Sequence, residues 1–570
     1  MSLYPSRARR CASALVGVGA LALVAACGGS SGGSSGNNSS SKSITGTKGG
    51  TLYYLSESDF EHLDPARNYV TDAGDFGRLI FRTLTTYDNK PGLDGTNVVP
   101  DLATDLGTPS DNAKTWKYTL KKGIKYEDGT EITAKDVKYG VERTFSELLP
   151  EGPTYIKDAL VGGESYKGPY KDKAGLASIE TPDDYTIIFH FTKPFADFRY
   201  AGALTTTAPV PQAKDTGVKY DEHPISSGPY KIATYARGKS ITFVRNTFYD
   251  PKTDTARGAY PDRIEGLLSL DGATIDQRLI AANGTDAEAF SFKAVQPENV
   301  TKITTDPALK GRATIGFDNS IAYTAMNTVK GATKDIKVRQ ALEVAYPLYA
   351  ARVAAGGPTV GDFATDVLVP SLSSHKDLSV YDTKDHKGDP DKAKQMLADA
   401  GYPNGVSISL GVPATTTGPK VAAVVKQGLE KAGFKVKLQV IDPSKYYDTI
   451  GNPSLQPDLV NYGWIADWPS ASTVIPALFT CKSIKPQGNN NPSNYCNKDF
   501  DTQVDAASAE TDAKKASGLW AALDKKLIED AVVIPKYYGK ILSLNGPSLK
   551  NIGPALPFGG QIDVANVSVK

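Results

Sequence analysis

Hydrophobic and polar positions alternate along this chain with two different periods. From Thr115 to Leu120 (TWKYTL), Trp116, Tyr118 and Leu120 fall on one side, the period-two mark of a half-buried strand. A Lys-Lys-Gly turn leads to Ile124–Glu127, which alternates again, and Asp128-Gly129 closes a tight turn. Thr133-Ala134-Lys135-Asp136 then reads as a capping box, opening a helix with Val137 and Val141 on one side. Gly49 to Leu55, Thr186 to Phe191 and Ser240 to Val244 read as further strands.

The period lengthens in the second half. Asp335 can cap a helix whose Val338, Ala341, Leu342 and Ala345 form one stripe. Asp389-Pro390 supplies a cap and a first-turn proline before Ala393, Met396, Leu397 and Ala400, and Gly401 ends that helix. Pro419 opens another helix, which Gly433 closes and which runs into the period-two strand Phe434–Val440. Helices alternating with strands through 330–445 predict an α/β body. No internal repeat of fixed period is present.

The first residues follow neither period. Arg7, Arg9 and Arg10 precede the apolar run Ala12–Ala26, which is shorter than the roughly 20 residues a membrane-crossing helix needs. This is the layout of a secretory signal peptide, residues 1–26. The run ends in Val24-Ala25-Ala26-Cys27, similar to the lipobox of bacterial lipoproteins, which implies Cys27 as the lipid attachment site. Gly28–Ser43 is too poor in apolar residues to fold, so 27–47 is expected to be a lipidated flexible linker. Later segments are not apolar enough to span a bilayer. The expected location is therefore outside the cell, anchored by lipid to the outer face of the cytoplasmic membrane. Outside the cytosol a thiol pair stays oxidised, and Cys481 and Cys496 bracket a polar, turn-rich loop. A structural disulfide is expected there.

Composition narrows the function. With 570 residues the chain is too long for one core. Its 64 basic and 63 acidic residues balance, and no basic cluster suggests nucleic acid. Metalloprotease, serine-hydrolase elbow and phosphate-loop signatures are absent. Ser373-x-x-Lys376 matches an acylation pattern without its partner motifs, and His62, His190, His223, His375 and His386 are scattered. No catalytic residue, metal or cofactor is expected.

Collinear motifs then carry a resemblance over nearly the whole body. Leu63-Asp64-Pro65, Val99–Ala103, Thr115–Arg143, Ser227-Gly228-Pro229-Tyr230, Met326-Asn327-Thr328, Val338–Leu342, Asp389–Tyr402 and Gly463–Pro469 stand in the expected order. The chain resembles the dipeptide- and oligopeptide-binding proteins of bacterial ABC importers, extracellular solute-binding family 5. The resemblance implies an α/β periplasmic-binding-protein-like clamshell (type II), with three lobes, mixed β-sheets and a hinge. Lobe I would comprise 48–81, 218–315 and 543–570, lobe II 82–217, and lobe III 316–542. It also implies a monomer that captures a small-molecule solute, foremost a di- or oligopeptide, and delivers it to ABC importer permease subunits. An oligosaccharide, a metal chelate or a sensory role on the same fold is the alternative.

In peptide-binding members the acid of the matching W-x-x-D segment pairs with the peptide's α-amino group. Carried over, that residue is Asp467, with Trp464 and Trp468 as aromatic walls. A carboxylate meeting an ammonium in a closed cleft forms a short charge-assisted bond, and ligands without the amine are rejected. Here the segment continues Asp467-Trp468-Pro469-Ser470-Ala471, whereas the commoner continuation is Asp-Tyr-Pro-Asp-Pro.

Overall fold

The computed structural model describes residues 42–569 except Val70, Asp382 and Thr416. The signal peptide, Cys27 and most of the linker lie outside the described residues. Contacts with the body begin at Ile44, inside the stretch read as linker, where the backbone N–H donates to Asn89 O at 3.1 Å.

Three sheets organise the body. The first has five strands in the order Ala289–Phe290, Thr51–Leu55, Arg263–Leu267, Ser240–Arg245 and Tyr230–Ala236. Thr51–Leu55 runs parallel to both neighbours, and the remaining pairs are antiparallel. Its core is aromatic: Tyr54 lies 4.8 Å from Phe76, whose ring is 5.3 Å from Phe243. Gly228 of the Ser-Gly-Pro-Tyr motif presses on the Leu79 carbonyl, where any Cβ would clash.

The second sheet is antiparallel, in the order Thr108–Ser110, Thr115–Thr119, Thr186–His190 and Ile179–Asp183. Trp116 and Tyr118 point into its core, as their alternation demands. Helix Ala134–Arg143 starts as expected, with the Thr133 N–H and hydroxyl both donating to the Asp136 carboxylate at 2.8 and 2.9 Å. One expectation is corrected. Ile124–Glu127 is not a strand but one arm of a tight loop, joined to the other by a single Lys125–Glu131 bridge. Ile124 and Tyr126 are buried as the alternation requires. The Tyr126 N–H donates to Thr130 O at 2.9 Å and so turns the chain back before a ladder can grow.

The third sheet is mixed, in the order Gly361–Phe363, Val533–Leu544, Ala313–Met326, Leu459–Ile465, Val406–Pro413 and Phe434–Ile441. Two hydrophobic clusters cover it, one including Trp520, Leu523 and Leu527 from helix Ala513–Glu529. The other draws on helices Ile336–Ala345, Pro390–Asp399 and Gly418–Lys431. Asp335 and Asp389 cap the first two of these through the N–H groups of Lys337 and Lys392, both at 2.9 Å.

The long strands Ala313–Met326 and Val533–Leu544 leave the third sheet and reach the first body, where Leu542 and Leu544 pack with Leu55, Ile275 and Leu279. Between Phe317 and Ile321 the register slips, so that 318–320 bulge opposite Gly539. Asn319 has φ +58°, and its amide is tied to Leu556 O.

Candidate functional site

Strand Leu459–Ile465 lies inside the third sheet and delivers the segment 466–473 at its end. There Asp467 meets residues of the other two bodies. The Tyr69 hydroxyl donates to Asp467 Oδ1 at 2.5 Å, and the Tyr155 hydroxyl donates to Oδ2. Both carboxylate oxygens thus receive charge-assisted hydrogen bonds. Burial first, and then the Asp467 charge, hold the Tyr155 phenol well above its ordinary pKa, so it keeps the proton it donates.

Tyr69 is held by the loop that precedes it. Asp64 of the Leu-Asp-Pro motif is fully buried and accepts a two-pronged bond from Arg143, at 2.6 and 2.7 Å. The Leu63 and Asp64 N–H groups donate to Asp221 Oδ1 at 2.6 and 2.9 Å, and Arg237 donates to its other oxygen at 2.6 Å. Burial opposes the Asp221 charge, but bonds from His62 and the Asp64 backbone, with the charge of Arg237, outweigh it. They hold the carboxyl down at about 2. Tyr155 opens the short helix Tyr155–Ala159 of the second body.

The two tryptophans diverge. Trp468 is 4% exposed, with Tyr155 at 4.6 Å and Phe195 at 6.5 Å between ring centres, so it fills the junction with the second body. Trp464 packs on its own body's core and donates its indole N–H to Thr473 O at 2.8 Å. The structure therefore brings Asp467 and Trp468 to the meeting of three bodies and turns Trp464 toward the third sheet's core. Sequence reasoning missed Tyr69, Tyr155 and Phe195. Tyr69 follows the Leu-Asp-Pro motif closely, but the chain has 29 tyrosines and nothing local singles it out.

Cys481 and Cys496 form a disulfide. The loop they close is polar in sequence, and its second half, Asn489 and 491–495, is buried. Asn489 donates to Asn494 Oδ1 at 3.1 Å, and Asn491 to Tyr495 O at 2.8 Å, so its amides satisfy one another instead of water. Among the described residues no cluster of His, Cys, Asp and Glu could hold a metal, and no helix is long and apolar enough to cross a membrane.

Comparison with known proteins agrees with this architecture. Residues 97–486 match the family described as bacterial extracellular solute-binding proteins, family 5 middle. The dipeptide-binding protein of Escherichia coli K12 is 26% identical over 505 residues, 82% of this chain and 86% of its own. Heme-binding protein A of Haemophilus influenzae is 26% identical over 483 residues, 81% of this chain and 83% of its own. The solved structure of clavulanic acid biosynthesis oligopeptide binding protein 2 is 33% identical. It covers 92% of this chain and 96% of its own, with a TM-score of 0.85. With the family model matching residues 97–486 and a 33% identical structure covering nearly the whole chain, the chain belongs to extracellular solute-binding protein family 5.

Proposed function

We propose that this protein captures a di- or oligopeptide between its lobes and hands it to the permease of an ABC importer, with Asp467 receiving the peptide's α-amino group. The observation that carries this reading is the meeting of Tyr69, Tyr155 and Asp467, one residue from each body. A phenol that gives its proton to Asp467 still has oxygen lone pairs, so an ammonium entering here finds acceptors on both sides of the carboxylate. A ligand touching all three bodies favours the closed form over the open one, and that differential contact drives closure. Trp468 walls the site; Trp464 supports it from behind.

In this reading the lobes are 48–81 with 218–315 and 543–570, then 82–217, then 316–542, and the bulge at 318–320 is the hinge. Cys27 carries the lipid that ties the exported monomer to the outer face of the membrane, and the protein performs no catalysis. The peptide-binding relatives support the ligand class, and the heme-binding relative makes a non-peptide solute the outcome to test against. Titration calorimetry with trialanine and N-acetyl-trialanine separates them. Binding of the free amine alone, lost in Asp467→Ala, supports the reading. Equal binding of both peptides, or of neither, removes it.

A further inference from the structure

Just beyond Asp467 the chain departs from the commoner Asp-Tyr-Pro-Asp-Pro continuation, and the structure gives the departure a partner. The Ser470 hydroxyl donates to Asp197 Oδ2 at 2.5 Å, and the Ser472 hydroxyl donates to the same oxygen at 2.6 Å. Asp197 lies in the second body, immediately before helix Phe198–Ala201. Both serines lie in the third body's segment. Ser472 is steadied by its neighbour, since the Trp468 indole N–H donates to its Oγ at 3.3 Å.

We propose that Asp197, Ser470 and Ser472 form a clasp that holds the cleft closed without ligand, and so set affinity through the fraction of closed molecules. Two observations carry this. The clasp atoms are distinct from Asp467, so a ligand can engage Asp467 while the clasp stays shut. Two hydroxyls converge on one half-buried carboxylate oxygen, a charge-assisted arrangement that forms only when the bodies meet. The same geometry says what charge would do at position 470. A carboxylate placed there would face Asp197 at the distance the Ser470 hydroxyl now bridges, and the two charges would push the bodies apart. Ser470 and Asp197 are matched to each other. Apparent Kd scales inversely with the competent fraction, so opening the clasp weakens every ligand by one common factor.

Small-angle X-ray scattering of the ligand-stripped protein tests the clasp directly and does not depend on the peptide reading. Ser470→Asp should raise the radius of gyration while circular dichroism stays native. Adding Asp197→Asn, whose amide can donate to the new acid, should restore compactness. An unchanged radius in Ser470→Asp, or expansion that Asp197→Asn does not reverse, overturns the proposal. If Ser470→Asp fails to fold, the paired Ser470→Ala and Ser472→Ala variant takes its place: partial expansion supports the clasp and unchanged compactness overturns it. The affinity arm uses trialanine and trileucine, both expected to weaken by about the same factor, on the order of tenfold. A loss confined to one peptide would make the serines ligand contacts and sink the clasp. If the wild type binds neither peptide, the peptide reading falls and the scattering result still decides the clasp.

Discussion

Two seams join the second body to its neighbours, and they are built from different chemistry. Against the first body the seam is ionic and dry. Arg257 bonds Asp101 across it at 2.7 Å, and Arg82–Asp101 and Arg257–Asp254, equally buried, brace its two sides. Arg143 grips Asp64 and also reaches Asp215 at 3.1 Å. Against the third body, the contacts at 467–472 are the Trp468 ring packed on Tyr155 and Phe195, and hydroxyl groups donating to half-buried carboxylates. The first seam's pairs are fully buried, so a partner lost from it leaves an uncompensated charge in a low-dielectric interior, at a cost of several kcal/mol. Pulling apart the second returns neutral hydroxyls and accessible carboxylates to water, which solvates both well. On the proposed reading, the first seam assembles with the fold and the second is the one that opens in a folded protein.

The contrast can be broken at its strongest point. Arg143→Met leaves Asp64 and Asp215 buried without their cation and should cost roughly 3–5 kcal/mol in urea unfolding. A loss below about 1 kcal/mol would show that the ionic seam is not structural. Serine at both Cys481 and Cys496 should cost roughly 3 kcal/mol through loop entropy while leaving both seams, and hence the scattering profile, unchanged.

A third measurement sharpens the comparison with a buried charge outside both seams. Lys536 is 5% exposed and donates to Asn461 Oδ1 at 3.0 Å. Burial lowers its pKa from 10.5 to about 7. The unfolded chain then holds more protons than the folded one between about pH 7 and 10.5, so stability rises with pH across that window. Relative to Lys536→Met, the wild type should gain roughly 2 kcal/mol between pH 7 and pH 9 in paired denaturation curves. A flat difference would mean that the ammonium is better compensated than its surroundings imply. Tyr155→Phe gives the smallest expected effect, about 1 kcal/mol in stability, because it deletes one hydroxyl donor at the opening seam. A loss as large as that of Arg143→Met would erase the distinction between the seams.

Local chemistry made much of the fold legible. Asp335, Asp389 and the Thr133–Asp136 pair cap the helices their spacing predicts, and Phe434–Ile441 is the strand its alternation requires. Ile124–Glu127 failed because alternation reports which side chains are buried and not whether a partner strand exists. The Asp467 segment was visible as a motif, but its partners were not. Tyr69 and Tyr155 lie 398 and 312 residues away in sequence, and Asp197 lies 273 residues from Ser470. No local period encodes such a meeting. The disulfide was legible from its two cysteines, but that Asn489, Asn491 and Asn494 bond within the buried half of the loop was not.

The bulge at 318–320 bears on how the molecule can move. Strands Ala313–Met326 and Val533–Leu544 cross from the third sheet to the first body as one hydrogen-bonded ribbon, with the slip placed between the two ends. A ribbon of paired strands resists stretching and sliding, yet it twists and flexes where its ladder is interrupted. If the proposed hinge lies here, closure turns on the few backbone torsions around the two register shifts, at 317–321 and at 322–323. With that hinge, the entropy given up on closure is that of a few torsions, less than a disordered connector would forfeit.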